Sequence, residues 1–254
     1  MSESIGQGGT AALHPRGIGD ILVTAIRLYR QYWETLLAIA GVVVVPLTLL
    51  QHAGGHWVRA HGWAAVSASL MAALFALLIY QVLTGAITRA VAAEIAGQRP
   101  GVEQSYHFGL IRLGPVLLVS VLVGLATVGG LILLVIPGIY VGVRLAVSIE
   151  ALVVEGRRGT QAMARSWSLV GGHWWHSFAT LLVAGLLTGL VNSLVISLVS
   201  SMGWFAQAIA AALATMVTLP YGVLVGVLLY LDLRARREPL SPDILTADLQ
   251  ASAV

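Results

Sequence analysis

The feature that most constrains this chain is a series of six long apolar runs. They lie roughly at 34–53, 63–90, 115–136, 138–154, 176–200 and 204–232. A transmembrane helix needs about 20 apolar residues to cross about 30 Å of hydrocarbon. Hydrophobic residues make up 58% of the chain and charged residues only 10%, which is too little polar surface to cover a water-soluble globule of this size. The sequence therefore predicts an all-α, polytopic integral membrane protein with about six transmembrane helices.

The basic side chains predict the orientation of these spans. All 14 are arginines, and twelve of them fall before the first span, after the last one, in the connections at 90–113 and 155–175 or, in the case of Arg89, at the end of the second span. Arg59 alone falls on the other side, and Arg144 lies within the fourth span. Because cytoplasmic connections are enriched in basic residues, we expect a multi-pass protein of the bacterial cytoplasmic (inner) membrane with both termini in the cytoplasm.

Three cytoplasmic segments have the spacing of amphipathic helices that lie at the membrane interface. In the first, Ile18, Ile21 and Ala25 share one face, with Asp20 and Arg27 opposite. The pattern recurs more weakly in two other segments. In the second segment the apolar face is Val102, Tyr106, Leu110 and Leu113, and the polar face is Glu103, His107 and Arg112. In the third segment the apolar face is Met163, Trp167, Val170 and Trp174, and the polar face is Gln161, Arg165 and Ser168. We therefore predict three interfacial helices, each preceding an outgoing and a returning span. The expected division is a disordered 1–14, a single helical membrane domain at 15–238 and a disordered tail at 239–254.

Ionisable groups inside a membrane are costly and are candidates for a functional role. Arg144 and Glu150 are about 9 Å apart along a helix and on different faces, so we expect each to find a partner elsewhere, such as Asn192, Gln81 or helix-end carbonyls. Pro220, followed by Tyr221, lies inside the sixth span and frees a backbone carbonyl there. The candidate intramembrane polar site is Arg144, Glu150, Asn192, Pro220 and Tyr221. A purely structural role for Arg144, and contact with a substrate or lipid headgroup, remain alternatives.

Two stretches of the chain are similar to a known family. The run LILLVIPGIYVGVRLAVSIEALVVEG, followed by AMARSWSLVGGHWWHSF, resembles the glycerophosphoryl diester phosphodiesterase membrane domain family. The opening HPRGIGDILVTAIRLYRQYWETLL and the closing LLYLDLRARREPL resemble the ends of that family. The resemblance extends from about Pro15 to Leu240 and implies a polytopic helical membrane protein.

The same resemblance assigns individual positions. The family's Pro-Gly connection falls on Pro137 and Gly138, its intramembrane arginine on Arg144, and its acidic residue after the returning helix on Glu155. Its Arg-Ser-aromatic motif and closing Asp-Leu-Arg fall on Arg165, Ser166, Trp167, Asp232, Leu233 and Arg234. Glu150 departs from the family, which is expected to have an uncharged residue there. Fused members owe their activity to a separate catalytic barrel, for which this chain has no room, so we do not expect phosphodiesterase activity.

The sequence favours a non-enzymatic function. It has no lysine and no cysteine, which excludes a Walker A loop, Schiff-base chemistry and thiolate ligands or nucleophiles. We expect no catalytic residue, cofactor, metal or nucleic acid, and partners limited to the lipid bilayer and a partner membrane protein or second copy. The favoured function is organising the bilayer or supporting a partner. The alternative is a small-molecule or lipid transporter, or a lipid-handling protein, which would need a polar site at mid-membrane.

Overall fold

The computed structural model describes residues 15–61, 83–97, 107 and 110–252, and within them every regular element is an α-helix. The prediction of an all-α chain is therefore confirmed. The helices are α1 (Ile18–Gln31), α2 (Trp33–His61), α3 (83–95), α4 (Leu113–Leu133), α5 (Val135–Arg144), α6 (Ser148–Glu155), α7 (Thr160–Val170), α8 (Trp174–Val199), α9 (Trp204–Ala235) and α10 (Pro242–Ala251).

Four stretches of the described chain are long and apolar enough to cross a membrane. They are Leu113–Ile132, Val135–Glu155, Trp174–Val199 and Trp204–Ala235, and they coincide with the last four predicted spans. The first predicted span falls within α2, a continuous helix that contains Pro46. Residues 62–82, which hold most of the second predicted span, and most of the second predicted interfacial helix lie outside the described residues.

Helix α9 forms the centre of the molecule near its C-terminal end. All residues from Leu224 to Arg234 are buried, and a helix that is buried on every side must be surrounded by other elements. Helices α1, α2 and α8 supply much of that cover. The approach of α2 is close, because a Cβ on Gly41 would lie 2.8 Å from the terminal methyl of Met216. The charged C-terminal turns of α9 are thereby held inside the bundle.

Helices α4 and α5 form an antiparallel hairpin whose closed end differs slightly from the prediction. The connection is a single extended residue, Leu134, with φ −164° and ψ 145°, rather than the predicted Ile136-Pro137-Gly138. Pro137 instead sits in the first turn of α5, where a missing N–H breaks no helical hydrogen bond. Gly138 is required for the packing, because a Cβ there would lie 2.5 Å from the backbone nitrogen of Leu131.

Two segments predicted as interfacial helices are helical. In α1 the buried residues are Ile21, Ala25 and Leu28, which extends the predicted apolar face. In α7 the side chain of Arg165, from the predicted polar face, turns out to be largely buried. Its side chain is only 14% exposed and is paired with carboxylates.

The C-terminal tail, for which we predicted disorder, forms helix α10, so this prediction was wrong. Ser241 caps the helix by accepting a hydrogen bond from the Ile244 N–H at 3.3 Å, and Pro242 occupies the first turn. Leu245 and Leu249 are fully buried in the main core. The tail is ordered because its two leucines, four residues apart, share one helical face that the bundle covers.

Candidate functional site

Charged side chains from four helices meet beside the C-terminal end of α9. This cluster, which we call the charged junction, consists of Glu155, Arg165, Tyr230, Arg234, Glu238 and Asp248. It joins α6, α7, α9 and α10 with the segment that follows α9.

Arg165 lies at the centre of the charged junction. Its Nε donates to both oxygens of Glu155, at 2.8 and 3.0 Å. The other end of the guanidinium contacts Glu238, with Nη2 to Oε2 at 2.9 Å and Nη1 to Oε1 at 2.7 Å. Burial alone would lower the pKa of Arg165, but hydrogen bonds to Glu238 and Glu155 outweigh it and raise the pKa. Arg165 is therefore a permanent cation bridging two carboxylates.

Glu155 accepts hydrogen bonds from two donors besides Arg165. The Tyr230 hydroxyl donates to its Oε1 at 2.6 Å, and Arg157 Nε donates to its Oε2 at 2.5 Å. Only 7% of the Glu155 side chain is exposed. A carboxylate with this many donors is stabilised as an anion and has little capacity left for an external ligand.

Arg234 ties the C-terminal helix to the charged junction. Its Nη2 lies 2.6 Å from Oδ2 of Asp248 on α10, and its Nε donates to Glu238 at 3.2 Å. Hydrogen bonds from Arg165 lower the pKa of Glu238, which keeps that carboxyl ionised. The tail and the end of α9 are thus held by charge-assisted bonds as well as by the two buried leucines.

Ser166 binds two backbone groups at a break between α5 and α6. The helical ladder is interrupted at Leu145–Val147. The Ser166 hydroxyl accepts from the Val147 N–H at 3.3 Å and donates to the Arg144 carbonyl at 2.9 Å. Because the site is buried and each backbone group needs a partner, one serine on α7 satisfies two groups that the bend would leave unpaired.

Arg144 lies in an aromatic setting at the C-terminal end of α7. Its Nη1 donates to the Trp167 carbonyl at 2.9 Å, and its Nη2 donates to the Tyr140 hydroxyl at 2.7 Å. The guanidinium carbon lies 4.8 Å from the Trp167 ring centroid, within the range of a cation–π interaction. A carbonyl near a helix end was one of the three kinds of partner suggested for Arg144. Arg237 binds the next exposed carbonyl of the same helix end, that of Gly171.

A second helix end is held by arginines in the same way. At the C-terminus of α10, Arg89 donates to the Leu249 carbonyl at 2.7 Å, and Arg112 donates to the Ser252 carbonyl. The last carbonyls of a helix lack intrahelical partners and carry a partial negative charge. Arginine therefore stabilises the C-terminal ends of both short helices, α7 and α10.

Asp232 forms a smaller cluster on the neighbouring face of α9. Its Oδ1 accepts from the Arg16 backbone N–H at 2.6 Å, and its Oδ2 accepts from Arg236 at 2.8 Å and lies 3.1 Å from His176 Nε2. The Asp232 side chain has no exposed area. This aspartate connects the N-terminal segment to α8 and α9.

The predicted intramembrane site is divided among separate places. Arg144 lies beside α7, whereas Glu150 packs on α9, where a Cβ on Gly226 would lie 2.5 Å from its Oε1. Asn192 donates to the Thr218 hydroxyl at 3.0 Å and joins α8 to α9. Pro220 is buried in α9. Gln81, a suggested partner for Arg144 or Glu150, lies outside the described residues.

Tyr221 lines a groove among α1, α8 and α9. The groove has a volume of about 310 Å³ and is lined mainly by apolar side chains, together with Tyr29, Thr188 and Thr218. The hydroxyls of Tyr29 and Tyr221 are buried without a hydrogen-bond partner among the described residues. Neither Arg144 nor Glu150 lines this groove. The five predicted residues therefore do not form one site.

Several of the residues that the resemblance assigns lie in two places, the charged junction and the surroundings of Arg144. Glu155, Arg165 and Arg234 are in the charged junction, Ser166 and Trp167 contact Arg144, and Pro137 and Gly138 form the first turn of α5. Sequence reasoning missed Tyr230, Glu238 and Asp248. The signal for two of them was present, because Tyr230, Arg234 and Glu238 recur every four residues in the sequence, although α9 ends before Glu238.

The charged side chains of the charged junction are paired with one another. Each carboxylate of the charged junction is paired with arginine. Among the described residues, no group of three or more histidine, aspartate or glutamate side chains could hold a metal ion. No protein family, curated protein or solved structure matches this chain.

Proposed function

We propose that this chain is a non-enzymatic integral membrane protein that organises the bilayer around it or supports a partner membrane protein. The proposed location is the bacterial inner membrane, with both termini in the cytoplasm. The proposal also takes the chain to be a member of the glycerophosphoryl diester phosphodiesterase membrane domain family. The resemblance of the sequence supports that membership.

The observation that carries the proposal is the mutual pairing of the buried charges. A catalytic acid, base or nucleophile must reach a substrate atom. Arg165 instead binds two carboxylates of its own chain, and Glu155 receives three protein donors. These side chains fix the relative positions of α6, α7, α9 and α10. The surfaces that contact lipid or another protein are therefore the apolar helix surfaces.

Those surfaces are extensive on α8. Leu186, Leu190, Leu194 and Leu198 are between 54% and 77% exposed, and they recur every four residues along one face. Exposed apolar area of this extent is typical of contact with lipid or with another membrane helix. In the proposed function, the exposed apolar faces of α8 and its neighbours therefore contact lipid or a partner protein.

The test is reconstitution of the purified full chain into vesicles of phosphatidylethanolamine and phosphatidylglycerol at increasing protein-to-lipid ratios. Bilayer organisation predicts a shift towards smaller or tubular vesicles in cryo-electron micrographs, compared with protein-free vesicles. Support of a partner predicts a stoichiometric second protein or second copy in native mass spectrometry of extracted membranes. Unchanged vesicles together with a lone monomer would contradict the proposal, and so would hydrolysis of glycerophosphodiesters by the pure protein.

The groove between α1, α8 and α9 favours a second candidate, lipid handling. Its volume is about 310 Å³ and its surface is apolar, which suits part of an acyl chain. A photoactivatable acyl chain on phosphatidylglycerol distinguishes the two functions. Cross-links concentrated at Val217–Tyr221 support lipid handling, whereas cross-links spread along the exposed face of α8 support a general lipid contact.

A further inference from the structure

The α4–α5 hairpin is apolar enough to suggest two membrane crossings. Helix α4 has 21 residues and is about 30 Å long at 1.5 Å per residue, which equals the thickness of the hydrocarbon. The two helices pack closely, since a Cβ on Gly130 would lie 2.8 Å from Gly138 Cα. Length and composition alone therefore place the closed end of the hairpin on the opposite side of the membrane.

The contact between Tyr140 and Trp174 limits how far the hairpin reaches. Trp174 Nε1 donates to the Tyr140 carbonyl at 3.3 Å, and the two rings are stacked with centroids 5.7 Å apart. Leu134 precedes Tyr140 by six residues, or about 9 Å of helix. Allowing a similar distance for the tryptophan side chain, the closed end lies within roughly 18 Å of the Trp174 backbone, whichever way α5 points.

Trp174 itself lies at the charged end of the bundle. It begins α8, and two residues later His176 contacts the buried Asp232. From Trp174, α8 runs to Val199, which is about 38 Å away along the helix. Asn192, in the second half of α8, donates a hydrogen bond to Thr218 of α9. The two helices are therefore still in contact at that point. The far end of α8 is thus about twice as distant from Trp174 as the hairpin can extend.

We infer that the α4–α5 hairpin does not cross the membrane but inserts into the single leaflet next to the charged junction. Its closed end stops no deeper than about the middle of the bilayer, given a hydrocarbon thickness of about 30 Å. The outer face of the hairpin is covered by acyl chains of that leaflet.

The surface of the hairpin has the chemistry that acyl chains require. Leu134 and Ile136 at the closed end are 67% and 81% exposed, which would be unfavourable in water. On the half of α4 that leads to the closed end, Leu125, Val128 and Ile132 are exposed. A helix that is apolar on its outer face and packed on its inner face is suited to hydrocarbon rather than to the headgroup layer.

This topology makes the protein asymmetric across the bilayer. Helices α8 and α9 add volume to both leaflets, whereas α4 and α5 add volume to one. The inference depends on distances within the structure and not on the proposed function. It would nevertheless give bilayer organisation a physical cause, because unequal insertion into two leaflets favours curvature.

The chain has no cysteine, so single cysteines can report the topology of the full-length protein. Three variants are compared in sealed membrane vesicles: Ile136→Cys at the closed end, Ser201→Cys between α8 and α9, and Gln250→Cys on α10. A membrane-impermeant maleimide is applied from each side in turn, and labelling in denaturing detergent shows that each thiol is intact. Gel filtration confirms that each variant is folded.

We expect Ser201→Cys and Gln250→Cys to be labelled from opposite sides, and Ile136→Cys to be labelled at least tenfold more slowly from both. A bimane attached to Ile136→Cys should be quenched by lipids brominated on the acyl chain. Labelling of Ile136→Cys from the side that labels Ser201→Cys would overturn the inference, because the hairpin would then cross. Labelling from the side that labels Gln250→Cys would also overturn it, because the hairpin would then lie in water.

Discussion

Two glutamates of helix α6 have opposite surroundings, although they are only five residues apart. Glu155 accepts hydrogen bonds from Tyr230, Arg157 and Arg165. Glu150 is buried against Gly226, and its Oε2 has no hydrogen-bond partner among the described residues. Five residues correspond to a rotation of about 140° around the helix, so the two side chains meet different neighbours.

The difference shows what makes a buried charge tolerable in this protein. Removing a carboxylate from water costs several kcal/mol, and only close partners with good geometry repay that cost. Glu155 lies where four helices converge, so donors reach it from several sides. Glu150 lies against Gly226 and has no comparable set of hydrogen-bond donors among the described residues. The burial of Glu155 is therefore accounted for by its stabilising contacts, whereas the burial of Glu150 is not.

Arg165→Ala should have the largest effect, because it leaves two carboxylates without their common partner. We expect a loss of about 3–5 kcal/mol, the range found when one member of a buried ion pair is removed. Reversible unfolding in mixed micelles measures it. The matched control is Arg157→Ala, which removes a donor to the same Glu155 from a side chain that is 46% exposed. That change should cost about 1 kcal/mol or less, and equal losses would contradict the central role of Arg165.

Ser166→Ala should have the next largest effect, because it orphans two buried backbone groups at the α5–α6 break. The Val147 N–H and the Arg144 carbonyl would both lose the serine hydroxyl, at a cost of about 1–3 kcal/mol. Ser168→Ala is the control, since its hydroxyl bonds only to the exposed Arg165 carbonyl of its own helix. A similar melting temperature for both variants would show that the break does not need Ser166.

Much of the fold follows from periodic apolar runs. The apolar helices α4, α8 and α9 were readable from the sequence because each is long and apolar. Helix α10 was missed although its sequence carries a helix start, with Ser241 as the cap, Pro242 in the first turn and Asp243 after it. Its ten residues include only two buried leucines, which is a weak signal in a chain this apolar.

The charged junction was harder to predict, because it depends on tertiary contacts. Tyr230 and Glu155 are 75 residues apart in sequence, and Arg165 and Glu238 are 73 apart. Counting the charged residues of the sequence predicts which membrane face they lie near, but it does not predict which of them form ion pairs. Arg144 was different, because helix-end carbonyls were among its suggested partners, and such carbonyls exist at the end of every helix.

Acid should weaken the charged junction through Glu238, with a smaller effect. Hydrogen bonds from Arg165 lower the pKa of this carboxyl. Its stabilisation is therefore complete above the unfolded pKa of about 4.3 and is lost as pH falls through the lower folded value. The side chain is 38% exposed, so solvent screening limits the effect to about 1 kcal/mol. The stability difference between the native chain and Glu238→Gln should shrink between about pH 5 and pH 3. A difference that stays constant would contradict this account.

Glu150→Gln should have the smallest effect on stability. The substitution keeps the shape that fits against Gly226 and removes a charge for which the described residues provide no cation. We expect a change within about 0.5 kcal/mol of zero, or a slight gain. Glu155→Gln on the same helix should instead lower the stability clearly, because it weakens the bonds to two arginines. Unfolding of the two variants under identical conditions makes the comparison. If Glu150→Gln were as destabilising as Glu155→Gln, the charge on Glu150 would have a stabilising partner, and the contrast between the two glutamates would be lost. A neutral result would leave Glu150 as a buried carboxyl kept for a reason other than stability.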